Sequence, residues 1–417
     1  MRLAYVVPRY GLEVVGGAET AARNLAERLV AARGWDIEVL TTCAADAMTW
    51  ANQYQPGEVE INGVRVRRFL SEAGRDPDFH PYSGALLAAG PANATPEEAE
   101  RWVDLQGPVC SELIGAIRDS PADLIAFYPY LYHPTVRGLP LVADRSVFHP
   151  ATHDEPPLRL PIFAPVFQAA SALVFQTYGE RRLAHRLFPV AATPQIVLGL
   201  GVDEEVGGGA ATEAGLGKGV PAGDPAPVPA PSAVRDRFGL SDRPYLVSVA
   251  RYLDDHKGTD LLWSYFREYK ARRPGPLALV LVGQVVKEPD PDPDVISAGM
   301  ADDETKWALL RESAALVSAS AFEAFSLAVV EGWTAGSAVI VNGHCEATLE
   351  HAQRSGGGLW YEDYPSFEAA LDRLLHEPGL RDELVARGRR YVDDNFRWDR
   401  IIERYGEFLE KVMLRRS

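Results

Sequence analysis

The sequence predicts an α/β protein with two domains. Short apolar runs such as residues 3–7 and 277–282 are followed by a loop and then by helical periodicity, as in buried parallel strands joined by helices. The chain of 417 residues is too long for one ordinary compact domain and fits two of about 150 to 200 residues each. Residues 205–231 are mostly Gly, Ala, Pro and Val, which bury too little surface to offset ordering entropy and so predict a flexible insert.

Composition and charge exclude some functional classes. Hydrophobic residues make up 47% of the chain, which is enough to bury two cores. The formal net charge of -16 argues against a general nucleic-acid-binding protein, because affinity for the phosphate backbone needs concentrated Lys and Arg. Cys43, Cys110 and Cys345 are widely spaced and form no CxxC pair, which suits a reducing compartment better than a disulfide framework.

We find no candidate membrane span or signal peptide in the sequence. No run approaches the ~18 to 20 apolar residues that cross a bilayer, and the first predicted strand follows Met1 and Arg2 directly. We therefore expect a cytoplasmic protein. Loose attachment to the inner face of the membrane, through Arg-rich surface positions, stays open as an alternative.

The first domain is expected to begin with a strand, a glycine-rich loop and a helix. Ala and Leu recur at helical spacing over residues 18–32, after the strand at 3–7. Gly16 and Gly17 at the start of this helix would let backbone amides approach an anion or a sugar; a purely steric turn is the alternative. Further strands are predicted at residues 37–42, 64–69, 122–128, 146–151, 171–176 and 195–198, a long surface loop at 74–94 and a helix at 96–118.

A histidine follows the strand predicted at residues 146–151. His153 would lie at the carboxyl end of that strand, where open α/β sheets bind their ligands. The alternative is a structural imidazole that Asp154 or a backbone carbonyl holds in place. The pattern makes His153 a candidate site residue.

In the second domain, two cations follow the strand predicted at residues 245–250. Arg251 and Lys257 suit a diphosphate, because Arg can bind two oxygens at once and Lys acts as a mobile point charge. An ordinary solvated loop is the alternative, since Asp254 and Asp255 lie between them. Further strands are predicted at residues 277–282 and 338–341, helices at 302–313, 366–376 and 398–413, and a loop at 284–300. Residues 316–319 lead into the segment that contains Glu323.

The loop at residues 284–300 carries three aspartates. Asp290, Asp292 and Asp294 alternate with proline, which splays their carboxylates apart, whereas a bound metal needs convergent oxygens. We therefore predict a solvated loop here. We also expect no metal site, because no cluster of His, Asp and Glu in the sequence has the spacing of metal ligands.

Residues 321–336 hold two carboxylates, Glu323 and Glu331, separated by an apolar run. Burying charge is costly unless the charge is paired or bound to a ligand, so a polar group should meet these carboxylates. If a helix begins here, the amides of Ser326 and Leu327 are among the free donors of its first turn and attract phosphate. Glu331 would then reach a hydroxyl-bearing group attached to that phosphate, as in a sugar nucleotide. The alternative is a capping role for Glu323 and a solvated helix position for Glu331.

The spacing of these two carboxylates resembles the Glu-x7-Glu signature of the family 4 glycosyltransferases, retaining enzymes of the GT-B fold. The resemblance implies that Glu323 lies by the donor sugar hydroxyls and that Glu331 binds the ribose of a nucleotide sugar. It also implies that Arg251 and Lys257 hold the donor diphosphate in place of a metal. The implied fold is an α/β protein with two Rossmann-like domains facing each other across a cleft: an acceptor domain at residues 1–200, an insert at 204–233, a nucleotide-sugar domain at 234–394 and a C-terminal helix at about 395–417 that crosses back to the first domain.

The resemblance extends to further site residues. Gly16, Gly17 and Glu19 match the family's Gly-Gly-x-Glu element, and His153 matches a histidine that faces the cleft between the domains. The residues assigned to catalysis are Glu323, His153, Arg251 and Lys257. Besides Arg251, Lys257 and Glu331, the positions assigned to the donor are Gly16, Gly17, Gly283, Phe325, Ser326 and Leu327, and those assigned to the acceptor are Arg9, Tyr10 and Tyr128.

Four positions depart from the family pattern. Phe127 and Tyr128 stand where many members have histidine, which leaves the identity of the acceptor open. Leu200 replaces the usual Asn of the interdomain turn, and Ser337 replaces a frequent Pro.

The function implied is that of a retaining glycosyltransferase that needs no cofactor or metal. It would move a sugar from a UDP-, GDP- or dTDP-sugar to a glycan or lipid-linked acceptor, in cell-surface polysaccharide or glycoconjugate synthesis. A sugar-nucleotide epimerase or phosphorylase of the same architecture and a non-catalytic nucleotide-sugar-binding partner are the alternatives. A dinucleotide dehydrogenase is disfavoured, because no Gly-x-Gly-x-x-Gly follows the first strand.

Overall fold

The computed structural model describes residues 1–14, 16–203, 231–253, 257–285 and 291–415, without the side chains of 231–232, 251–253 and 285. The chain forms two compact units: unit 1 is Met1–Gly199 with Ile401–Ser417, and unit 2 is Leu200–Arg400. Each unit is built on one sheet with helices between strands, so the prediction of an α/β fold with two Rossmann-like domains is confirmed. Most of the predicted insert, residues 204–230, lies outside the described residues.

The strands of unit 1 form one sheet. They are β1 (Arg2–Val6), β2 (Asp36–Thr42), β3 (Gly57–Ile61), β4 (Val64–Phe69), β5 (Leu124–Phe127), β6 (Ser146–Phe148), β7 (Ala172–Phe175) and β8 (Gln195–Val197). Within the described residues the strand order is β3-β4-β2-β1-β5-β6-β7-β8, and only β3 and β4 pair antiparallel. Every residue of β5 and β7 is buried, as expected of parallel strands covered on both faces.

Seven α-helices lie within the described residues of the N-terminal segment of unit 1, Met1–Gly199. They are α1 (Gly17–Arg33), α2 (Phe79–Ala88), α3 (Pro96–Gln106), α4 (Ser111–Asp119), α5 (His133–Gly138), α6 (Phe163–Ala169) and α7 (Tyr178–Leu187). Short 3-10 helices cover Pro91–Asn93, Leu139–Arg145 and Pro156–Arg159.

Unit 2 repeats the parallel arrangement on a smaller scale. Its strands are β9 (Tyr245–Leu253), β10 (Ala278–Val285), β11 (Val295–Gly299), β12 (Ala315–Ser318), β13 (Ala338–Asn342) and β14 (Gly358–Tyr361), in the order β11-β10-β9-β12-β13-β14, all parallel within the part of the chain described. The helices from residue 231 onwards are α8 (Pro231–Arg237), α9 (Thr259–Arg272), α10 (Asp303–Glu312), α11 (Leu327–Ala335), α12 (Glu346–Ser355), α13 (Tyr364–His376), α14 (Leu380–Asn395) and α15 (Trp398–Leu414).

Every predicted strand is present, but several other predictions needed correction. The helix predicted at residues 96–118 is two helices, because Gly107 has a left-handed φ of 68° and Pro108 lacks the backbone N–H that a continuous helix needs. The predicted loop at 284–300 contains β11, and the predicted surface loop at 74–94 contains α2, with Phe79 and Leu86 buried.

The C-terminal helix packs on unit 1 as predicted. Its buried face includes Ile401, Tyr405 and Leu409, and the Tyr405 hydroxyl lies 2.8 Å from Nε2 of His149 in the loop after β6. A Cβ on Gly406 would lie 2.5 Å from the Arg33 guanidinium carbon, so a larger residue here would displace the Arg33 side chain between α15 and α1. None of the helices in the described residues has the length and apolarity needed to span a bilayer.

Candidate active site

The two carboxylates Glu323 and Glu331 flank the start of α11. This helix begins at Leu327, and Ser326 precedes it with a left-handed φ of 76°. Positive φ is uncommon for a residue other than glycine, and strained backbone of this kind concentrates at functional sites. The first amides of a helix have no acceptor within the helix, so this turn directs N–H groups outward from the carboxyl edge of the sheet.

Glu323 forms an ion pair with Lys257. The Lys257 Nζ lies 2.7 Å from Oε1 of Glu323, and the two side chains are 35% and 20% exposed. Two of the predicted catalytic residues therefore meet, although they lie 66 positions apart in the chain. Because the pair is partly open to solvent, a ligand with its own charge can reach both groups.

A glycine brings Lys257 to the Glu323 segment. Gly258 caps α9 with a left-handed φ of 69°, and a Cβ at this position would lie 2.3 Å from the Ala319 carbonyl oxygen. The Asn342 side chain donates a 2.9 Å hydrogen bond to the same carbonyl. The start of α9 and the ends of β12 and β13 are therefore tied together. Sequence reasoning missed Asn342 because a buried amide carries no pattern of its own.

Glu331 forms a second ion pair, which the sequence did not predict. The Lys306 Nζ of α10 lies 2.9 Å from Oε1 of Glu331, with side chains 18% and 17% exposed, and 3.2 Å from Oδ1 of Asp303. Burial lowers the pKa of Lys306, but Glu331 and Asp303 raise it more, so the net shift is upward and the amine stays protonated. The charge that the sequence required opposite Glu331 is thus supplied by a lysine of the neighbouring helix.

The Phe325 side chain supports the turn from within the core. It is buried with its ring 4.8 Å from that of His351 and 5.1 Å from that of Phe396. Burial lowers the pKa of His351 to about 4, so the imidazole is neutral. Of the predicted donor residues at this turn, Phe325 therefore positions the backbone of Ser326 and does not present its ring to a ligand.

Two further donor-site predictions fall on β9 and β10. Arg251 lies within β9, which runs to Leu253 and so extends beyond the predicted strand; its side chain, like residues Asp254 and Asp255, lies outside the described part of the chain. Gly283 lies in β10 with a φ of 137°, where the pairing with β9 shifts register. Glycine is the residue that such a bulge favours.

In unit 1, the glycine-rich loop between β1 and α1 contains Arg9, which forms a buried ion pair with Glu19 of α1. Arg9 Nε donates to Oε1 of Glu19 at 2.9 Å, and Arg9 Nη1 donates to the Ala45 carbonyl at 3.0 Å. The Arg9 and Glu19 side chains are only 3% and 9% exposed. A Cβ on Gly16 would lie 2.3 Å from Oε2 of Glu19, whereas a Cβ on Gly17 would meet nothing within 4 Å. Gly16 thus makes room for the buried carboxylate, and Gly17 leaves open space at the start of α1.

The tyrosines assigned to the acceptor are buried in unit 1. Tyr10 and Tyr128 are each 1% exposed. Tyr128 stacks on His149 with ring centroids 4.0 Å apart, and burial raises its pKa well above the usual range. The structure therefore does not bring Arg9, Tyr10 or Tyr128 to the surface of the unit, because all three complete its core.

His153 lies in the loop after β6, half-buried, with Nε2 3.5 Å from Oε2 of Glu155. The buried Glu180 of α7 interacts electrostatically with His153. Its carboxylate accepts hydrogen bonds from the backbone amides of Thr152 at 2.8 Å and Gln176 at 2.6 Å. Burial raises the pKa of Glu180 to about 7, against the opposing effect of these hydrogen bonds. Glu180 thereby fixes the two loops that follow β6 and β7.

No cluster of three or more potential metal ligands occurs in the residues that the structure describes. Asp292 and Asp294 pair with cations: Asp292 Oδ2 lies 3.8 Å from Arg267 Nε, and Asp294 Oδ2 lies 3.0 Å from Lys270 Nζ. Asp290 lies outside the described residues.

The comparisons with known proteins agree with this architecture. Residues 233–391 match the model of a family described as Glycosyl transferases group 1. No curated protein matches the chain.

Several solved structures are similar over almost the whole chain. Sucrose-phosphate synthase (tll1590) from Thermosynechococcus elongatus has a TM-score of 0.70 at 17% identity, covering 99% of both chains. A structure described as trehalose-6-phosphate from E. coli bound with UDP-2-fluoro glucose has a TM-score of 0.67 at 14% identity, again covering 99% of both. Anabaena Alr3699/HepE in complex with UDP and glucose has a TM-score of 0.66 at 14% identity, covering 99% of this chain and 100% of that one. These likenesses show that the chain has the GT-B fold.

Proposed function

We propose that the protein is a retaining glycosyltransferase that uses a nucleotide-sugar donor. The observation that carries the proposal is the pair of lysine–carboxylate contacts, Lys257–Glu323 and Lys306–Glu331, on either side of the strained Ser326 turn. Charged groups of both signs, partly exposed beside a helix N-terminus, suit a ligand that carries phosphate and several hydroxyls. The match of residues 233–391 to Glycosyl transferases group 1 supports the same conclusion.

The donor diphosphate binds at the N-terminus of α11. The amides of Ser326 and Leu327 and the amine of Lys257 supply hydrogen-bond donors and positive charge, and we add Arg251 from the sequence pattern. Gly283, near the carboxyl end of β10, is a further residue that we assign to the nucleotide. Glu323 then orients the donor sugar by accepting from its hydroxyls, and Glu331 does the same for the ribose.

The chemistry breaks the bond between the anomeric carbon of the sugar and the diphosphate oxygen. Negative charge develops on that oxygen, and Lys257, Arg251 and the α11 amides stabilise it, which is the electrostatic contribution that dominates many such reactions. The acceptor oxygen forms the new bond on the same face and gives its proton to the departing phosphate. No residue of the described chain needs to act as a covalent nucleophile in this scheme.

Unit 1 supplies the acceptor contacts. His153 and the backbone at Gly16 and Gly17 are the groups that we assign to the reactive centre and the acceptor, since they lie at the ends of strands where open sheets bind ligands. The buried side chains of Arg9, Tyr10 and Tyr128 do not contact the acceptor in this proposal. They fix the backbone that carries Gly16, Gly17 and His153. We propose a glycan or lipid-linked acceptor of cell-surface polysaccharide synthesis, and a cytoplasmic location, which the three free, buried cysteines support.

The first test is calorimetric titration of the whole protein with UDP, GDP and dTDP in EDTA. The E. coli and Anabaena structures named above contain UDP or a UDP-sugar, so UDP is the first candidate. We expect one nucleotide to bind wild type and to bind Arg251→Ala at least about tenfold more weakly, because a charged hydrogen-bond donor is lost. Arg272→Ala is the matched control, since Arg272 pairs with Glu368 at an exposed position of unit 2. Absence of binding by all three nucleotides would overturn the proposal.

A further inference from the structure

We propose that Lys306 is a specificity-determining residue of the donor site: by holding Glu331, it makes the site select a ribonucleoside diphosphate over the 2′-deoxy counterpart. This inference rests on the proposed function and deepens it. It predicts that a UDP- or GDP-sugar is the donor and excludes a dTDP-sugar.

The position of Glu331 on α11 determines which part of the donor it meets. It lies five residues after Ser326, which at about 1.5 Å per residue is about 7.5 Å along the helix axis. The proposed function places the pentose attached to a diphosphate at the helix N-terminus, with its 2′- and 3′-hydroxyls, beside Glu331, and this distance along the helix suits that placement. An ionised carboxylate offers about four acceptor positions on its two oxygens. The contact with Lys306 Nζ is made by Oε1 and occupies one of them, so acceptor capacity remains for hydroxyl hydrogens.

Lys306 fixes the orientation of that carboxylate. Its amine is held between Oε1 of Glu331 and Oδ1 of Asp303, at 2.9 and 3.2 Å, while Lys306 and Glu331 are each more than four-fifths buried. Hydrogen bonds to an ionised acceptor are shorter and about twice as strong as those between neutral groups. A Glu331 carboxylate that Lys306 holds in place therefore gains most from a ligand that offers a hydroxyl at the 2′ position.

The same unit contains a lysine–carboxylate pair that serves structure alone. Lys270 Nζ lies 3.0 Å from Oδ2 of Asp294, with side chains 13% and 28% exposed, and donates to the Leu277 carbonyl at 2.9 Å. Asp294 immediately precedes β11 and Leu277 immediately precedes β10, so this pair lies at the amino edge of the sheet. Lys306 lies instead in the first turns of α10, which follows the carboxyl end of β11. The two pairs match in chemistry and burial and differ in the edge of the sheet that they occupy.

The experiment compares ribo- and deoxynucleotide binding in three proteins. Wild type, Lys306→Met and Lys270→Met are titrated calorimetrically with UDP and with 2′-deoxy-UDP, or with GDP and 2′-deoxy-GDP where GDP is the nucleotide that binds. We expect wild type and Lys270→Met to prefer the ribonucleotide at least about tenfold, since one hydrogen bond to a charged group is at stake. Lys306→Met should bind the ribonucleotide about tenfold more weakly and the deoxynucleotide within about twofold of wild type, so that the preference disappears.

Two further variants keep the outcome interpretable. Lys306→Arg should restore the preference, because it keeps the cation opposite Glu331; if Lys306→Met does not fold, Lys306→Gln replaces it and should lose the preference. A ribose preference unchanged in Lys306→Met, or tighter binding of dTDP than of UDP and GDP by wild type, would overturn this inference and leave the proposed function standing. Absence of binding by every nucleotide would overturn both.

Discussion

The two units use acidic residues beside a helix N-terminus in opposite ways. In unit 1, Glu19 of α1 is almost fully buried and pairs with Arg9, which is itself 3% exposed. In unit 2, Glu323 precedes α11 and pairs with Lys257, with both groups partly open to solvent. The same combination of strand, turn, helix and carboxylate thus gives a closed pair in one unit and an accessible pair in the other.

The difference teaches that burial decides the role of such a pair. Removing two charges from water completely is costly, and their attraction repays this cost only with good geometry and additional hydrogen bonds. Arg9 meets that condition by donating to Glu19 and to the Ala45 carbonyl, so its donors are used inside the unit. Lys257 keeps contact with solvent and can exchange Glu323 for a phosphate at little cost. We therefore assign structure to the first pair and ligand binding to the second.

The largest expected effect comes from breaking the buried pair of unit 1. Arg9→Met leaves Glu19 buried without its cation and should lower the free energy of unfolding by about 3 to 5 kcal/mol. Urea-induced unfolding measures this change. Arg2→Ala is the control, because Arg2 and Asp123 form an exposed pair that contributes only about 0 to 1 kcal/mol.

A double variant sharpens this test. Arg9→Met with Glu19→Leu removes both charges, so it should be clearly more stable than Arg9→Met alone. The opposite outcome would be an Arg9→Met variant that unfolds like wild type and binds nucleotide normally but has lost turnover. In that case Arg9 contacts the acceptor, and the contrast between the two units fails.

The next largest effect comes from the accessible pair of unit 2. Lys257→Ala should cut turnover about a hundredfold, because the developing charge on the diphosphate loses a cation, and should change the free energy of unfolding by less than about 1 kcal/mol. Release of nucleoside diphosphate from the donor measures the first quantity, and urea-induced unfolding the second. Arg273→Ala, at an exposed pair with Asp372, should change neither. A loss of stability as large as that of Arg9→Met, with unchanged kinetics, would show that both pairs are structural.

Much of this arrangement could be predicted from the sequence. Apolar runs located every predicted strand, and the Glu-x7-Glu spacing located the start of α11, because these signals lie within a few neighbouring residues. The strands β3, β11 and β14 were missed. β3 is mostly exposed and contains two glutamates, β11 is only partly buried and follows a stretch rich in Pro and Asp, and β14 follows a run of glycines. Lys306 was missed for a different reason. Its contact with Glu331 joins residues 25 positions apart, and the sequence around Lys306 does not distinguish it from a solvated lysine on a helix surface.

Burial was the other quantity that the sequence did not provide. Arg9 and Tyr128 have the chemistry of acceptor contacts, yet both are enclosed by the packing of unit 1. Whether a polar side chain at a strand end points into the core or out of it depends on the neighbouring loops, which lie far away in the chain. For Arg9 the deciding neighbour is Ala45, and for Tyr128 it is His149.

The smallest effect concerns the glycine that positions Lys257. Gly258→Ala must adopt a left-handed φ and also place its Cβ against the Ala319 carbonyl oxygen, only 2.3 Å away, so the backbone has to move. We expect a loss of about 2 kcal/mol of unfolding free energy and, because Lys257 is the preceding residue, about tenfold weaker nucleotide binding.

Gly239→Ala separates the effect of backbone strain from that of the Cβ contact with Ala319. Gly239 has a similar φ of 62°, but a Cβ there would meet nothing within 4 Å, so only the backbone strain of about 1 kcal/mol applies. Nucleotide binding by Gly239→Ala should equal that of wild type. If Gly258→Ala also binds normally, the position of Lys257 does not depend on the close approach of β9 and β12, and the accessible pair is less rigidly built than its buried counterpart in unit 1. If Gly258→Ala loses binding while Gly239→Ala keeps it, the close contact between Gly258 and Ala319 holds Lys257 in place. The accessible pair would then depend on close packing of its own, as the buried pair does in unit 1.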